Sequence, residues 1–289
     1  MKWLQLGVLV LSLAACAEVP APAPAPTPTT QLPADGDVLA INNLATLYRD
    51  GRGVEKNDAE ALRLYRVAAD RGYALAQVNL GWMLSNGRGV AQDYAEAFRW
   101  FNRAAEQGHA SAFYEIGNLH LHGRGMAQDD RKAFEFYVRS AEKNYSPAEQ
   151  AVGWAYANGR GIEQDDREAV KWFRRAAGRG NREAINSLGF HYASGRGVDK
   201  DDAEAFRLYK RAAELGNPIA MSNLGLRYRG GLGTAQDDVE AVKWFRLSAE
   251  NGHKAGMTHL AWMYENGRGV PRDPAIAAEW YKKAAGIGS

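Results

Sequence analysis

The chain has 289 residues, 46% of them hydrophobic, enough material for one large domain or two ordinary ones. Its 36 basic and 34 acidic residues leave a net charge of only +2. That balance excludes a phosphate backbone or an anionic membrane surface as the main partner, because both are held by a surplus of Lys and Arg.

The first element is a targeting signal: Lys2 supplies the charged start, Trp3 to Leu13 an apolar run, and Ala14 and Ala15 the small residues before a cleavage point. The run is too short to span a bilayer. Cys16 is the only cysteine in the chain, and a lone free thiol does little for an exported protein. Leu13-Ala14-Ala15-Cys16 resembles the bacterial lipobox. The resemblance implies that residues 1–15 are a lipoprotein signal peptide and that Cys16 is acylated and anchors the chain in a membrane. Because the next residue is Ala17 and not aspartate, the same resemblance implies the outer membrane, with the protein facing the periplasm. Residues 16–36 continue as a tether in which Pro20, Pro22, Pro24, Pro26, Pro28 and Pro33 alternate mainly with Ala and Thr. Such a stretch has no core to bury; in polyproline conformation Glu18 to Asp35 reach about 55 Å at ~3.1 Å per residue.

From Asp37 the sequence repeats itself. A Gly-x-Gly recurs at 51 and 53, 87 and 89, 123 and 125, 159 and 161, 195 and 197, 231 and 233, and 267 and 269, always 36 residues apart. Seven units (37–72, 73–108, 109–144, 145–180, 181–216, 217–252 and 253–288) follow without insertion or deletion, as stacked supersecondary units require. Each unit holds two helical patterns. In the first, Ala76, Gln77, Leu80, Gly81 and Leu84 share one face at three-four spacing. The small residue at the 81 position (Gly81, Gly117, Gly153, Gly189, Gly225, with Ala45 and Ala261) costs helix propensity, which points to close approach of a neighbouring helix. The Gly-x-Gly stretch then ends the helix.

The second helix starts at an N-cap Asn or Asp (Asn57, Asp93, Asp129, Asp165, Asp201, Asp237, Asp273), with Glu60, Glu96, Glu168, Glu204 and Glu240 three residues on in a capping-box arrangement. Large pairs such as Trp100-Phe101 face small pairs such as Ala104-Ala105, which lets neighbouring helices interlock. Gly72, Gly108, Gly180, Gly216, Gly252 and Gly288 close it, with Asn144 substituting in the third unit.

The pattern Ala-x-x-x-Leu-Gly, Asn-Gly-Arg-Gly-Val, Asp-x-x-x-Ala and Ala-Ala-x-x-Gly resembles the Sel-one-like repeat, a relative of the tetratricopeptide repeat, over residues 37–288. The resemblance implies an all-α fold, a right-handed superhelical α/α solenoid of seven helix-turn-helix repeats with an extended concave surface. Unlike the cysteine-rich branch of that family, no repeat here carries a cysteine, so packing alone must stabilise the stack. In tetratricopeptide proteins the ligand meets the side of the first helix turned away from the Leu-Gly seam, here the positions equivalent to 75, 78, 82, 85 and 86. The candidate partner-binding residues are therefore Trp82, Tyr114, Asn118, Trp154, Phe190, Leu226 and Trp262, with Arg49 and Arg229. These positions vary between repeats and are rich in aromatics and amides, which suits contact with a peptide or protein. The competing reading is that the aromatics fill gaps between adjacent first helices.

Catalytic chemistry is not expected. The acidic residues recur in the capping positions, and the Arg between the glycines (Arg52, Arg88, Arg124, Arg160, Arg196, Arg268, with Leu232 the exception) recurs too, so both read as cap and loop pieces. His120 and His122 are the only close histidine pair and, two apart on a helix, point to different faces, so no metal site is expected. The Gly-x-Gly follows a helix, not the strand a dinucleotide fingerprint needs, and no Gly-x-Ser-x-Gly elbow is present, so neither a cofactor nor a catalytic residue is assigned. The resemblance implies an envelope scaffold or adaptor for a protein or peptide partner. A periplasmic regulator that inhibits a sensor or receptor is the alternative, and an enzyme acting on cell-wall fragments a distant third. The apolar face of the last repeat around Trp280, Tyr281, Ala284 and Ala285 is predicted to be partly open, and so available for self-association.

Overall fold

A computed structural model describes residues 37–287 of the chain; the stretch expected to be a signal peptide, Cys16, the proline-rich segment and residues 288–289 lie outside the described residues. Among the described residues there are fourteen α-helices of 12 or 13 residues and no strand. The first helices of the repeats are α1 (Val38–Asp50), α3 (Ala74–Asn86), α5 (Ala110–His122), α7 (Ser146–Asn158), α9 (Arg182–Ser194), α11 (Pro218–Gly230) and α13 (Lys254–Asn266). The second helices are α2 (Asp58–Asp70), α4 (Tyr94–Glu106), α6 (Asp130–Ala141), α8 (Asp166–Gly178), α10 (Asp202–Glu214), α12 (Asp238–Glu250) and α14 (Pro274–Ala285). Each first helix packs most extensively on the second helix of its own repeat, and each second helix on the first helix of the next, with first helices also touching at α5/α7 and α11/α13. The architecture is an α/α solenoid.

Each hairpin is closed by its N-cap residue, used twice. The side-chain oxygen of Asn57, Asp93, Asp129 or Asp165 accepts the backbone N–H three residues on, as the sequence suggests. The reciprocal half of the capping box is not made. The N-cap's own N–H instead donates to a carbonyl of the preceding first helix: Asn57 to Tyr48 at 2.9 Å, Asp93 to Leu84 at 3.0 Å, Asp165 to Tyr156 at 3.0 Å. The displaced glutamates pair along the helix surface, Glu60 with Arg63, Glu168 with Lys171 and Glu204 with Arg207. A donor satisfied by the neighbouring helix has no need of a side chain, and a backbone bond across the hairpin fixes its geometry.

The core runs along the seam between first and second helices. At its centre the glycine of the first helix lies under the aromatic ring of the second: a Cβ on Gly153 would sit 2.7 Å from Phe173 ring carbons. Close approach is thus the reason for the small residue, and its agent is the large residue of the facing pair. Asn144 takes the left-handed conformation (φ 62°) that glycine adopts at the equivalent positions, as its substitution there requires. At the far end α14 is closed by Gly286 in the left-handed conformation, two residues before the glycine anticipated at that cap. Trp280, Tyr281 and Ala284 are half-buried and Ala285 exposed, whereas Trp100, Phe101, Ala104 and Ala105 of α4 are buried.

Among the buried polar side chains of the described residues one is a carboxylate. Glu149 on α7 is fully buried (0% exposed) between Arg175 of α8 and Arg179, the residue that caps α8, at 3.2 and 3.3 Å. The equivalent positions in the second repeat hold a neutral pair, Gln107 donating to Gln77 at 2.8 Å. Both pairs join the start of a first helix to the end of the second helix of its own repeat, so the position asks for a hydrogen-bonded pair and tolerates either charge state.

Candidate functional site

The side of the first helices turned away from the seam forms a trough of three neighbouring clefts. The first, about 510 Å³, is lined by Arg49, Val78, Trp82, Glu115 and Tyr145 among others. A second of about 330 Å³ lies over Tyr114, Asn118, Gln150 and Trp154. The third, about 270 Å³, lies over Trp154, Asn186, Phe190, Ile219 and Asn223. Trp154 lines both the second and the third, so these two are continuous. The trough therefore brings together Arg49, Trp82, Tyr114, Asn118, Trp154 and Phe190 of the sequence candidates. Trp154 and Phe190 are the most open, at 37% and 46% exposure. Leu226 and Trp262 are half-buried further along the same face, and the Arg229 guanidinium stacks 4.9 Å from the centre of the Trp262 ring.

The arginines between the glycines carry more than a loop role. Arg88, Arg160, Arg196 and Arg268 each reach back one repeat and grip a carboxylate with two nitrogens, at 2.5 to 3.1 Å: Asp58, Asp130, Asp166 and Asp238, the first residues of α2, α6, α8 and α12. This fork-to-fork geometry is the strong form of an arginine–carboxylate contact. The Arg160 guanidinium beside Asp130 holds its carboxyl below the usual carboxylate range. In the clamped repeats the second glycine of the Gly-x-Gly serves the same joint: a Cβ on Gly89 would lie 2.5 Å from the Asp58 carbonyl oxygen. Sequence periodicity shows that this arginine recurs; it does not show that its partner lies 30 residues earlier in another repeat.

The clamps also account for the pattern of aromatics. In the four repeats with a complete clamp the arginine lies over the residue at the 82 position: Arg88 over Trp82 (5.3 Å), Arg160 over Trp154 (5.9 Å), Arg196 over Phe190 (5.9 Å) and Arg268 over Trp262 (5.6 Å). Where the clamp is missing, so is the aromatic. The third repeat has Tyr94 in place of the aspartate and Asn118 at the site; Asn118 accepts a hydrogen bond from Tyr137 at 2.8 Å. In the sixth, Leu232 replaces the arginine and Leu226 the aromatic, while Arg227 takes over Asp202 at 2.7 Å. In the first repeat Thr46 bonds Tyr65 at 2.9 Å. The aromatics are thus one-sided: a guanidinium packs on the ring, and Trp154 and Phe190 keep open surface in the trough.

Burial sets the protonation of the titratable groups here. Desolvation pushes the Tyr114 and Tyr137 hydroxyls up, keeping them neutral donors. It pushes His120, His191 and His259 down, so all three stay neutral near pH 7. His191 donates its Nδ1–H to the Arg196 carbonyl at 2.8 Å, and His120 stacks on Phe136 with ring centres 5.6 Å apart. His122 is exposed, so the two do not converge. Among the described residues no group of three His, Cys, Asp or Glu side chains is placed to hold a metal ion.

A family model of the Sel1 repeat matches residues 38–73, 74–109, 110–145, 146–181, 182–217, 218–253 and 254–289, each unit one residue later than the phasing used above. Two solved structures share the fold at close to a third of identical residues. A Sel1 repeat protein from Oxalobacter formigenes is 29% identical with a TM-score of 0.77, over 86% of this chain and 97% of that one. A protective antigen present in uropathogenic Escherichia coli strains and displaying an SLR fold is 32% identical, with a TM-score of 0.72, over 87% of this chain. The chain spans about half (54%) of the length of that antigen. An immunity protein from Pseudomonas aeruginosa, 18% identical with a TM-score of 0.50 over 74% of this chain and 81% of that one, is alike in fold alone. No curated protein matches the chain. Seven contiguous matches, in register with seven helical hairpins, establish that the chain belongs to the Sel1 repeat family.

Proposed function

We propose that the protein is a non-catalytic scaffold that binds a protein or peptide partner along the trough of its first helices, held at the outer membrane by an acyl chain on Cys16. Sel1 repeat proteins typically act as protein-interaction scaffolds, which supports the general statement. The observation that carries the finer one is the trough itself: open aromatic surface at Trp154 and Phe190, flanked by the amides of Gln150, Asn186 and Asn223. Aromatic anchors ringed by adaptable hydrogen-bonding groups are the usual composition of a protein-binding patch. The open face of α14 belongs to the same reading as a surface for self-association.

Pull-down from envelope extracts tests the reading. Trp154→Ala with Phe190→Ala is expected to lose the partner while keeping the helical circular dichroism of the parent chain. Recovery of the same partners by the folded double variant would remove the trough from the argument. Labelling with radioactive palmitate is expected to mark the parent chain and not Cys16→Ser. A regulator that inhibits a sensor would use the same surface; deletion that raises transcription of a regulon while export complexes still assemble would favour that reading.

A further inference from the structure

Two charged side chains on the trough face break the repeat and have no ion-pair partner among the described residues. Glu115, on α5, stands where α3 and α11 carry Asn79 and Asn223. Its half-buried carboxylate lines the first cleft beside Trp82 and Tyr145 and accepts one hydrogen bond, from the Asn118 amide at 3.2 Å. Arg229, on α11, is half-buried over the face of Trp262 and meets no carboxylate. Arg49, the other arginine of the face, is by contrast held by Asp50 at 2.7 Å. Between Glu115 and Arg229 the clefts are floored mainly by the aromatics and amides described above, with His122 at the second cleft, Arg196 engaged by Asp166 and Glu183 of α9 engaged by Arg182.

A partly desolvated charge without a counter-charge is costly, and the cost disappears when a ligand supplies the missing sign. Burial pushes the Glu115 carboxyl above the usual carboxylate range, although the Asn118 hydrogen bond and the Arg124 charge act the other way. A nucleic acid or an anionic lipid surface would meet repulsion at Glu115, whereas a peptide can present both signs on one strand.

We propose that the trough takes an extended peptide segment in one orientation, with a cationic side chain of the ligand at Glu115 and an anionic group at Arg229. The proposal rests on the protein-binding reading above and adds polarity and spacing to it. Glu115 and Arg229 are three repeats apart, roughly 25–30 Å at 8–10 Å per helix step. An extended chain covers that distance in about eight residues at 3.3–3.6 Å each. The order of charges along the ligand would then fix which of its ends lies toward the first repeat.

The test uses random sixteen-residue peptides displayed on phage and panned on the full chain, with selected peptides then synthesised carrying a fluorophore as probes. Selected sequences are expected to carry a Lys or Arg and an Asp or Glu about eight residues apart in one consistent order. Glu115→Gln and Arg229→Gln should each weaken binding about tenfold or more. Neutralising the matching charge on the peptide should weaken binding to the parent chain alike, and the two losses should not add in a double-mutant cycle. The exchange variant Glu115→Arg with Arg229→Glu should select the reverse order. Peptides that need Trp154 and Phe190 but ignore both charge variants would overturn the polarity and leave the protein-binding reading standing. If no peptide bound through the trough at all, both would fall. The cycle uses single neutralising changes, so the outcome does not depend on the exchange variant folding.

Discussion

Gly153 and Gly178 are both helical glycines with opposite surroundings. A methyl group on Gly153 would press on Phe173, a ring buried in the seam that has nowhere to move, while one on Gly178 would meet nothing within 4 Å. Gly153→Ala is expected to destabilise by about 1–3 kcal/mol through overpacking. Gly178→Ala should instead stabilise by up to about 1 kcal/mol through helix propensity. Urea unfolding of the two variants beside the parent chain checks both, and a stabilised Gly153→Ala would show that the seam is looser than its geometry. The small residue and the large pair were each legible in the sequence as recurring positions. That one lies on the other was not, because periodicity gives the face of a helix and not the residue opposite. Glu149 shows the same gap: its place on the core face of α7 is plain from spacing, but the two arginines that make burial tolerable come from another helix.

At the scale of the helix and its loop, the Gly-Arg-Gly segment is a joint between repeats. The first glycine caps one helix, the arginine grips the start of a helix in the preceding repeat, and the second glycine lets the loop lie against that helix. The sixth repeat reaches the same carboxylate differently. Arg227 occupies a position that holds Met83 in α3 and Met263 in α13, with 14% of its side chain exposed, and bonds Asp202, while Leu232 fills the loop position. Arg227→Met is therefore expected to loosen the joint between the fifth and sixth repeats, at a cost of about 1 kcal/mol. Adding Leu232→Arg should restore it by rebuilding the clamp of the other repeats. Hydrogen exchange at the start of α10 reads the joint directly: faster exchange in the single variant and recovery in the double are expected. Lack of recovery would mean that loop and helix are not interchangeable sources of the guanidinium. Because complete clamps and aromatics at the 82 position occur together, the variable aromatic column has a structural cause: each ring packs on the clamping guanidinium of its own repeat's loop.

Across the whole molecule stability has no covalent staple in the described repeats, so protonation of buried groups weighs on the stack. His191 is 2% exposed, with Asp166 and the clamped Arg196 as its charged neighbours, and burial holds it below the usual value of 6.5. The unfolded chain therefore binds a proton at that residue more readily than the folded one. The stability associated with the neutral imidazole is full above pH 6.5 and is lost as pH falls from there toward the folded value. The urea midpoint is expected to drop between pH 7.5 and pH 5. His191→Met, which copies Met83 and Met263 at the equivalent position, should flatten that drop in part, because burial also lowers His109, His120, His253 and His259. An unchanged slope in His191→Met would show that the buried imidazole is not the group responsible.

The sequence by itself determined the number of repeats, the two helices in each, their caps and the face each one buries, because these follow from local periodicity and from residues within a few positions of each other. Only the tertiary structure decided which residue meets which across the seam, that the loop arginine grips the neighbouring repeat, and that Glu115 in the first cleft and Arg229 over Trp262 stand without counter-charges. The physical reason is that burial, ion pairing and exposure depend on atoms 30 or more residues away. A repeating sequence states that those residues recur without stating what lies against them.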